Sequence, residues 1–380
     1  MNDDINELKR LSNEKKPIAQ DPSPSSGFVQ TETLIIGQGI SGTFLSYYLQ
    51  KSGVSFIIID ESKPNTASKA AAGIINPVTG RRIVKTWMID ELLPFALNAY
   101  EEIGNHLNIN CITQKNIVDF FATPQMRNAF INRYKEDKQY LNNPSDENNW
   151  LNNFHYDFGY GEIEPCYLVD VFLLINAFRK KMLAENLLID ERFDINELAI
   201  NENKITYKNI SANKIIFCDG IESYNNPYFK NLPFAPNKGE ALIIEIENFT
   251  AKNIFKKGIN LVPLKDNLFW VGSSYEWNFE NDQPTESFRK MTEMILKEWI
   301  KSDFKIHDHI ASVRPATLER RPFVGFHPLQ KNVGIFNGMG TKGCSLAPYF
   351  ANQFAQNIIN NSLIIPEVDI NRFAKALSKN

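Results

Sequence analysis

Hydrophobic positions along this chain follow two periods. Residues 34–36 are Leu-Ile-Ile, an uninterrupted apolar run that predicts a strand covered on both faces. Phe44, Leu45, Tyr48 and Leu49 then recur at helical spacing, and Gly53 ends that helix. Residues 56–59, Phe-Ile-Ile-Ile, predict a second buried strand. Farther on, residues 90–105 read as a helix with Leu93, Leu97, Tyr100 and Ile103 on one face. Residues 111–122 read as a pair of strands, 123–143 as a polar helix, and 169–184 as a mostly apolar helix. Short strands follow at 187–190, 195–200 and 204–210, then a buried strand over 214–220 that ends in Gly220. Residues 241–247, 259–263 and 268–272 alternate enough for an antiparallel sheet with one covered face. Residues 286–301 predict an amphipathic helix with Phe288, Met291, Ile295 and Trp299 as its core stripe. Last, a strand from Val333 runs into a glycine-rich turn, and a helix continues to about residue 360.

The first strand, helix and second strand carry chemistry in their turn. Gly37, Gly39 and Gly42 give Gly-x-Gly-x-x-Gly between strand and helix. Gly37 permits the tight turn, Gly39 lets the backbone approach a pyrophosphate, and Gly42 lets helix and strand pack closely. Ile40 and Ser41 open the helix, whose unpaired N–H groups and partial positive charge suit phosphates. Asp60 follows Gly42 by 18 residues, at the end of the second strand, with Glu61 beside it. An acid there accepts ribose hydroxyls and argues against a 2′-phosphate, hence against NADP. The pattern predicts a Rossmann-like dinucleotide domain.

Ala67, Ser68 and Gly73 lie in a small-residue loop just after that acid. The loop reads as a ligand contact with Ser68 offered to a phosphate, or else as a surface turn. Arg81, Arg82 and Lys85 form a basic cluster, either a solvated, ion-paired face or an anion subsite. The final turn holds Gly338, Gly340, Thr341, Lys342 and Gly343. It supplies a second helix N-terminus for negative charge. Two such turns suit a cofactor that is anionic at both ends, and FAD fits this better than NAD.

Composition narrows the picture little. The chain has 380 residues, 43% apolar and 22% charged, with net charge −3, so no global field recruits nucleic acid or an anionic membrane. Four scattered cysteines, with no Cys-x-x-Cys, imply reduced thiols and no zinc cluster. His307 and His309 share a strand face, but no further ligand stands at metal spacing, so no metal is expected. The longest apolar run, residues 169–178, contains Asp170 and Asn176 and is too short to cross a bilayer. Residues 1–20 are charged and have no apolar core, unlike a secretory signal, and 21–27 is a turn-prone linker. A flexible arm and a cytoplasmic location are the expectations.

The chain resembles the FAD-dependent amino-acid and amine oxidoreductases typified by D-amino-acid oxidase and glycine oxidase. The resemblance spans about residues 31–360. It rests on the Gly37–Asp60 fingerprint, Ala67-Ser68, Ile216-Phe-Cys-Asp-Gly220 and Pro236-Asn-Lys-Gly-Glu240. Val313-Arg-Pro315, Pro322-Phe-Val-Gly325, Asn337-Gly338 and Leu346-Ala-Pro348 complete it. It implies an α/β FAD-binding domain and an α+β substrate domain with a mixed or antiparallel sheet, both discontinuous. The expected division is an arm at 1–30, FAD-binding segments 31–95, 160–225 and 320–365, and substrate-binding segments 96–159 and 226–319.

The resemblance further implies that Arg314 holds a substrate carboxylate, against a purely structural arginine, and that Tyr275 lines the pocket, against a core tyrosine. Gly220 and the turn from Gly338 to Gly343 would contact the flavin. The implied reaction oxidises the C–N bond of an amino acid or a secondary amine bearing a carboxylate, by hydride transfer to flavin N5. Small-molecule substrates are the expected partners. The sequence departs from the family at Thr341, where glycine oxidases tend to carry arginine, and at Cys218-Asp219, where small residues are usual. Pro315-Ala-Thr follows Arg314 where members with covalent FAD carry cysteine, so non-covalent FAD is expected. Two alternatives stay open: a tRNA-modification oxidase acting on a carboxymethylaminomethyl base, and a flavin-binding protein without turnover.

Overall fold

β1 (Val29–Ile36) passes through a glycine turn into α1 (Ile40–Lys51) and then β2 (Phe56–Ile59). This is a computed structural model, and it describes residues 28–379 except 81, 202, 203, 248 and 250. Residues 1–27 of the expected arm and Arg81 therefore lie outside the described residues, while residues 29 and 30, counted with the arm, open β1. The chain continues through α2 (Ile89–Leu107), β3 (Ile117–Phe120), α3 (Pro124–Glu136), β4 (Tyr160–Ile163), α4 (Val171–Ala184), β5 (Leu188–Ile189) and β6 (Ile210–Phe217). Next come β7 (Asn237–Ile246), β8 (Ile254–Lys257), β9 (Ile259–Pro263), β10 (Leu268–Gly272), α5 (Glu286–Trp299) and β11 (Phe304–Arg314). β12 (Phe323–Phe326), β13 (Val333–Asn337) and α6 (Gly343–Asn360) complete the main elements.

One sheet is built around β1. β2 and β6 flank it in parallel, β5 runs parallel beside β2, and β13 runs parallel beside β6. Residues 34–36, 56–59 and 215–217 of its parallel strands are apolar because both faces are covered there. Ile35, Phe56 and Ile58 face α1, α2, α4 and α6, while Leu34, Ile36, Ile57 and Ile59 face the other layer with Phe217 and Phe229. A strand covered on both faces buries every side chain, each worth about 1.5–3 kcal/mol.

A second sheet has the order β11-β7-β10-β9-β8-β3-β4 and continues to the short strand Leu141–Asn142. β4 therefore belongs here, pairing with β3, although residue 160 was the expected start of a cofactor segment. β8 was not foreseen; Ile254-Phe-Lys-Lys is too short and too charged at its end to read as a strand. One face of this sheet packs on α5. The helix buries Phe288, Thr292, Leu296 and Trp299, whereas Met291 is 52% exposed and Ile295 only partly covered. The stripe is rotated from the expected one because Thr292, a polar type, takes an inward position at correct helical spacing. The other face of the sheet looks toward the first sheet across a cavity.

Candidate active site

The cavity has a volume of about 1120 Å³. It runs from the glycine turn of β1 past the loop at residues 65–74 to the second sheet and the final turn. Gly37, Gly39, Ile40, Ser41, Asp60, Glu61, Ala67, Ser68, Gly73, Gly220, Arg314, Gly340, Thr341 and Gly343 all line it, drawn from segments far apart in sequence.

The fingerprint geometry follows from its residue types. Gly37 has φ +97°, a backbone region that favours glycine. A Cβ on Gly42 would stand 2.0 Å from the Gly37 carbonyl oxygen, so Gly42 serves helix packing and does not line the cavity. A Cβ on Gly39 would meet Ser68 Oγ at 3.0 Å. Ser68 Oγ accepts from the Ile40 N–H at 3.1 Å, which draws the small-residue loop onto the start of α1. Gly73, with φ +81°, packs against the Val169 carbonyl.

Asp60 is tightly held. One carboxylate oxygen accepts from the Gln38 N–H at 2.9 Å; the other accepts from the Ser62 N–H at 2.9 Å and from Arg179 Nη1 at 2.6 Å. Arg179 also donates to the Asp60 carbonyl and pairs with Asp190. It is a buried cation, and a buried cation needs a paired acid; in the sequence it is one of three adjacent basic residues, Arg179-Lys180-Lys181, so its burial was not readable there. Asp60 thus fixes the turn as well as facing the cavity. Glu61, 3.2 Å from Lys63, stands beside it.

At the far end, α6 begins after Lys342. Neither Gly39 before α1 nor Lys342 before α6 caps its helix with a side chain, and neither first turn holds an acid. By contrast Thr123, Asp170 and Thr285 cap α3, α4 and α5. The two helix starts at the cavity keep backbone donors for a ligand. Gly338 does not line the cavity; its N–H is held by Asn337 Oδ1 at 2.8 Å, and Asn337 Nδ2 donates to the Gly220 carbonyl at 2.7 Å. Lys342 also stands off the cavity, donating from Nζ to Thr86 Oγ1 at 3.0 Å. Burial, then the Arg320 charge, pushes its pKa down to about 8. Asp219, at the cavity wall, is pushed up to about 7 by burial.

Arg314 ends β11 on the cavity wall. Its Nη1 donates to Asn237 Oδ1 at 2.6 Å and to the Ser274 carbonyl at 3.3 Å. A Cβ on Gly239 would stand 1.7 Å from Nη2, so the guanidinium lies flat over a strand only because residue 239 is glycine. Burial lowers its pKa from the usual value, but a guanidinium stays charged. Tyr275 does not line the cavity. It is 53% exposed, with its ring 5.0 Å from the Arg314 guanidinium, a cation–π support on the outer side.

Trp270 and Asn260, unremarked in the sequence, line the cavity from the second sheet, and Trp270 Nε1 donates to the Ala70 carbonyl at 3.2 Å. Lys85 of the basic cluster is ion-paired with Asp90 at 2.6 Å, and Arg82 is exposed. His307 faces Glu245 and His309 faces Glu240, and no metal-binding group occurs among the described residues.

The profile of the DAO family, described as FAD dependent oxidoreductase, matches residues 32–357. The chain belongs to this family of FAD-dependent oxidoreductases. FAD is its cofactor, and the cavity fits it: uncapped helix starts at both ends, a glycine cradle at Gly37–Gly39, and room for a small molecule beside the second sheet. The chain is similar to glycine oxidase of Bacillus subtilis (strain 168), 23% identical over 358 residues, 87% of this chain and 94% of that protein. Its fold resembles glycine oxidase from Bacillus cereus ATCC 14579, with TM-score 0.76, 15% identity, and 92% and 99% of the two chains covered. It also resembles iminodiacetate oxidase from Chelativorans sp. BNC1, with TM-score 0.71, 18% identity, and coverage of 90% and 98%. No described helix is long and apolar enough to cross a membrane.

Proposed function

We propose that this oxidoreductase oxidises the C–N bond of an amino acid or a secondary amine that bears a carboxylate. Arg314 is the observation that carries this reading. It is a half-buried cation on the wall of the FAD cavity, with Nη1 committed to Asn237 and Ser274 and Nη2 over Gly239. A guanidinium anchored on one nitrogen is pre-organised for a carboxylate on the other, and holding it there fixes the neighbouring carbon. The named substrates of the similar proteins, glycine and iminodiacetate, are both carboxylated amines.

The chain's own residues position and shield. Arg314 binds the carboxylate, Asn237 keeps the guanidinium in place, and Trp270 and Ile310 wall the site apolar. In the Gly340–Gly343 turn the Gly340 and Lys342 N–H groups are spent on the Pro315 and Met339 carbonyls, and those of Thr341 and Gly343 favour negative charge developing at that end. Bound FAD supplies the acceptor for the hydride leaving the carbon next to nitrogen. No general base is needed when the amine arrives neutral.

The test is anaerobic mixing of the yellow holoenzyme with glycine, sarcosine, D-alanine, L-proline and iminodiacetate. At least one should bleach the flavin. An unchanged oxidised spectrum with all of them would count against the reading. Arg314→Ala should weaken the reactive substrate by about 2–5 kcal/mol, and unchanged affinity would remove Arg314 from the site.

A further inference from the structure

Two glycines on the cavity face of the second sheet have their side-chain space taken by other residues. The Arg314 guanidinium fills the space above Gly239. Trp270 fills the space above Gly272: its ring atoms Cη2 and Cζ3 lie 2.7 and 3.0 Å from the Cβ that residue 272 lacks, and Ala241 Cβ lies 2.9 Å from the same point. Ala241 follows Gly239 by two residues on β7 and pairs directly with Gly272 on β10, so the three share one face. Ala241 is therefore the floor between the guanidinium and the indole. Ile310, paired with Ala241 from β11, borders that floor on its other side. Ala241, Ile310, Arg314 and Trp270 all line the cavity.

The indole is a fixed wall. Ile243 and Val262 pair with Trp270 from the neighbouring strands and pack with it in one apolar cluster. Its ring edge rests over Gly272, and Nε1 donates to the Ala70 carbonyl at 3.2 Å. Ala70 belongs to the small-residue loop that follows Asp60, so the ring bridges the second sheet and the cofactor-binding segment. Swinging the ring aside would break that bond and leave a largely buried indole N–H unpaired.

The wall leaves little room. Gly239 and Gly272 are separated by two residues along a strand and one step across the sheet, roughly 8 Å. A hydrogen bond of about 2.9 Å from the guanidinium to a carboxylate and a van der Waals contact of about 3.7 Å with the indole take up most of that span. What is left holds the α-carbon and one small group. A ring or a long chain laid over Ala241 meets the indole.

We propose that Trp270 sets the size limit of the substrate, admitting carboxylated amines whose α-carbon bears hydrogen or a methyl group and turning away those with aromatic or long side chains. This rests on the reading of Arg314 as the carboxylate anchor. Trp270 acts through shape and takes no part in the hydride transfer.

The test uses three inert carboxylates, acetate, propanoate and benzoate, each titrated into the FAD-loaded protein and read by the perturbed flavin spectrum. Benzoate carries its ring rigidly on the carboxylate axis and cannot fold away from the wall. On apolar area alone it would bind tightest. The wild type should instead bind it at least tenfold more weakly than propanoate. Trp270→Ala should reverse that order, and Trp270→Phe, whose shorter side chain keeps part of the wall, should fall between. Arg314→Ala should weaken all three ligands. A wild type that prefers benzoate, or a Trp270→Ala variant that shifts all three ligands by one common factor, would overturn the size limit and leave the anchor standing. Should Trp270→Ala fail to load FAD, the wild-type order and Trp270→Phe decide the same question. Binding of all three unchanged in Arg314→Ala, or absent from the wild type, would remove the carboxylate anchor, and the size limit with it.

Discussion

Arg314 shows how one side chain depends on the absence of another. The guanidinium occupies the space a Cβ on residue 239 would need, since that atom would lie 1.7 Å from Nη2. Gly239→Ala should displace it by about an ångström and lower kcat/KM about a hundredfold, with FAD retained. Steady-state kinetics on the flavin-loaded variant checks this, and unchanged kcat/KM would contradict it. Lys342 makes a different prediction. Its folded pKa is about 8, below the usual lysine value. Between about 8 and 10.4 the unfolded chain binds more protons than the folded one, so this group's contribution to stability rises with pH. Lys342→Met should accordingly be more stable than the wild type at pH 7, by an advantage that shrinks as pH climbs from 8 toward 10. Thermal unfolding across that range measures it, and a constant difference would contradict the burial argument.

Elements differ in how much of them the sequence discloses. The β1–α1–β2 unit was readable because everything that defines it is local: an apolar run, three glycines at fixed spacing, a helical face and an acid 18 residues on. The role of Asp60 was only half readable. Its other partner, Arg179, sits on a helix more than a hundred residues away, in a run of three basic residues that gives no sign which one turns inward. Asn260 was silent, because its place on the cavity face comes from strand register, which no short stretch states. α5 was misread at Met291 since spacing allows either Met291 or Thr292 beside Phe288, and apolar type was followed where the helix turns Thr292 inward. The start of α5 carries a further prediction. Glu240, fully buried, accepts from the Thr285 N–H at 2.6 Å and from its hydroxyl at 2.8 Å, and lies 3.4 Å from the buried Lys238 ammonium. Glu240→Gln leaves Lys238 buried without a counter-charge and should cost about 3–5 kcal/mol in denaturant unfolding. A loss below 1 kcal/mol would show that the pair is not needed.

At the scale of the molecule, two sheets enclose a cavity whose ends have different duties. The first sheet brings two uncapped helix starts to the cofactor, at Gly39 and Gly343. The second sheet brings Arg314, Asn260 and Trp270 to whatever lies beside it. The family, and with it FAD, follows from residues 32–357 as a whole, while in the proposed function the choice of substrate falls to a few side chains on one sheet face. The central claim is that a carboxylate on Arg314 selects the amine to be oxidised. Stopped-flow reduction of the flavin under anaerobic conditions, with matched pairs, tests it most directly. The pairs are glycine against methylamine, sarcosine against dimethylamine, and D-alanine against ethylamine. The account predicts that the carboxylated member of a reactive pair reduces the flavin at least a hundredfold faster at equal concentration, and that Arg314→Ala erases most of that difference. Equal reduction by the amine and its amino acid would contradict it.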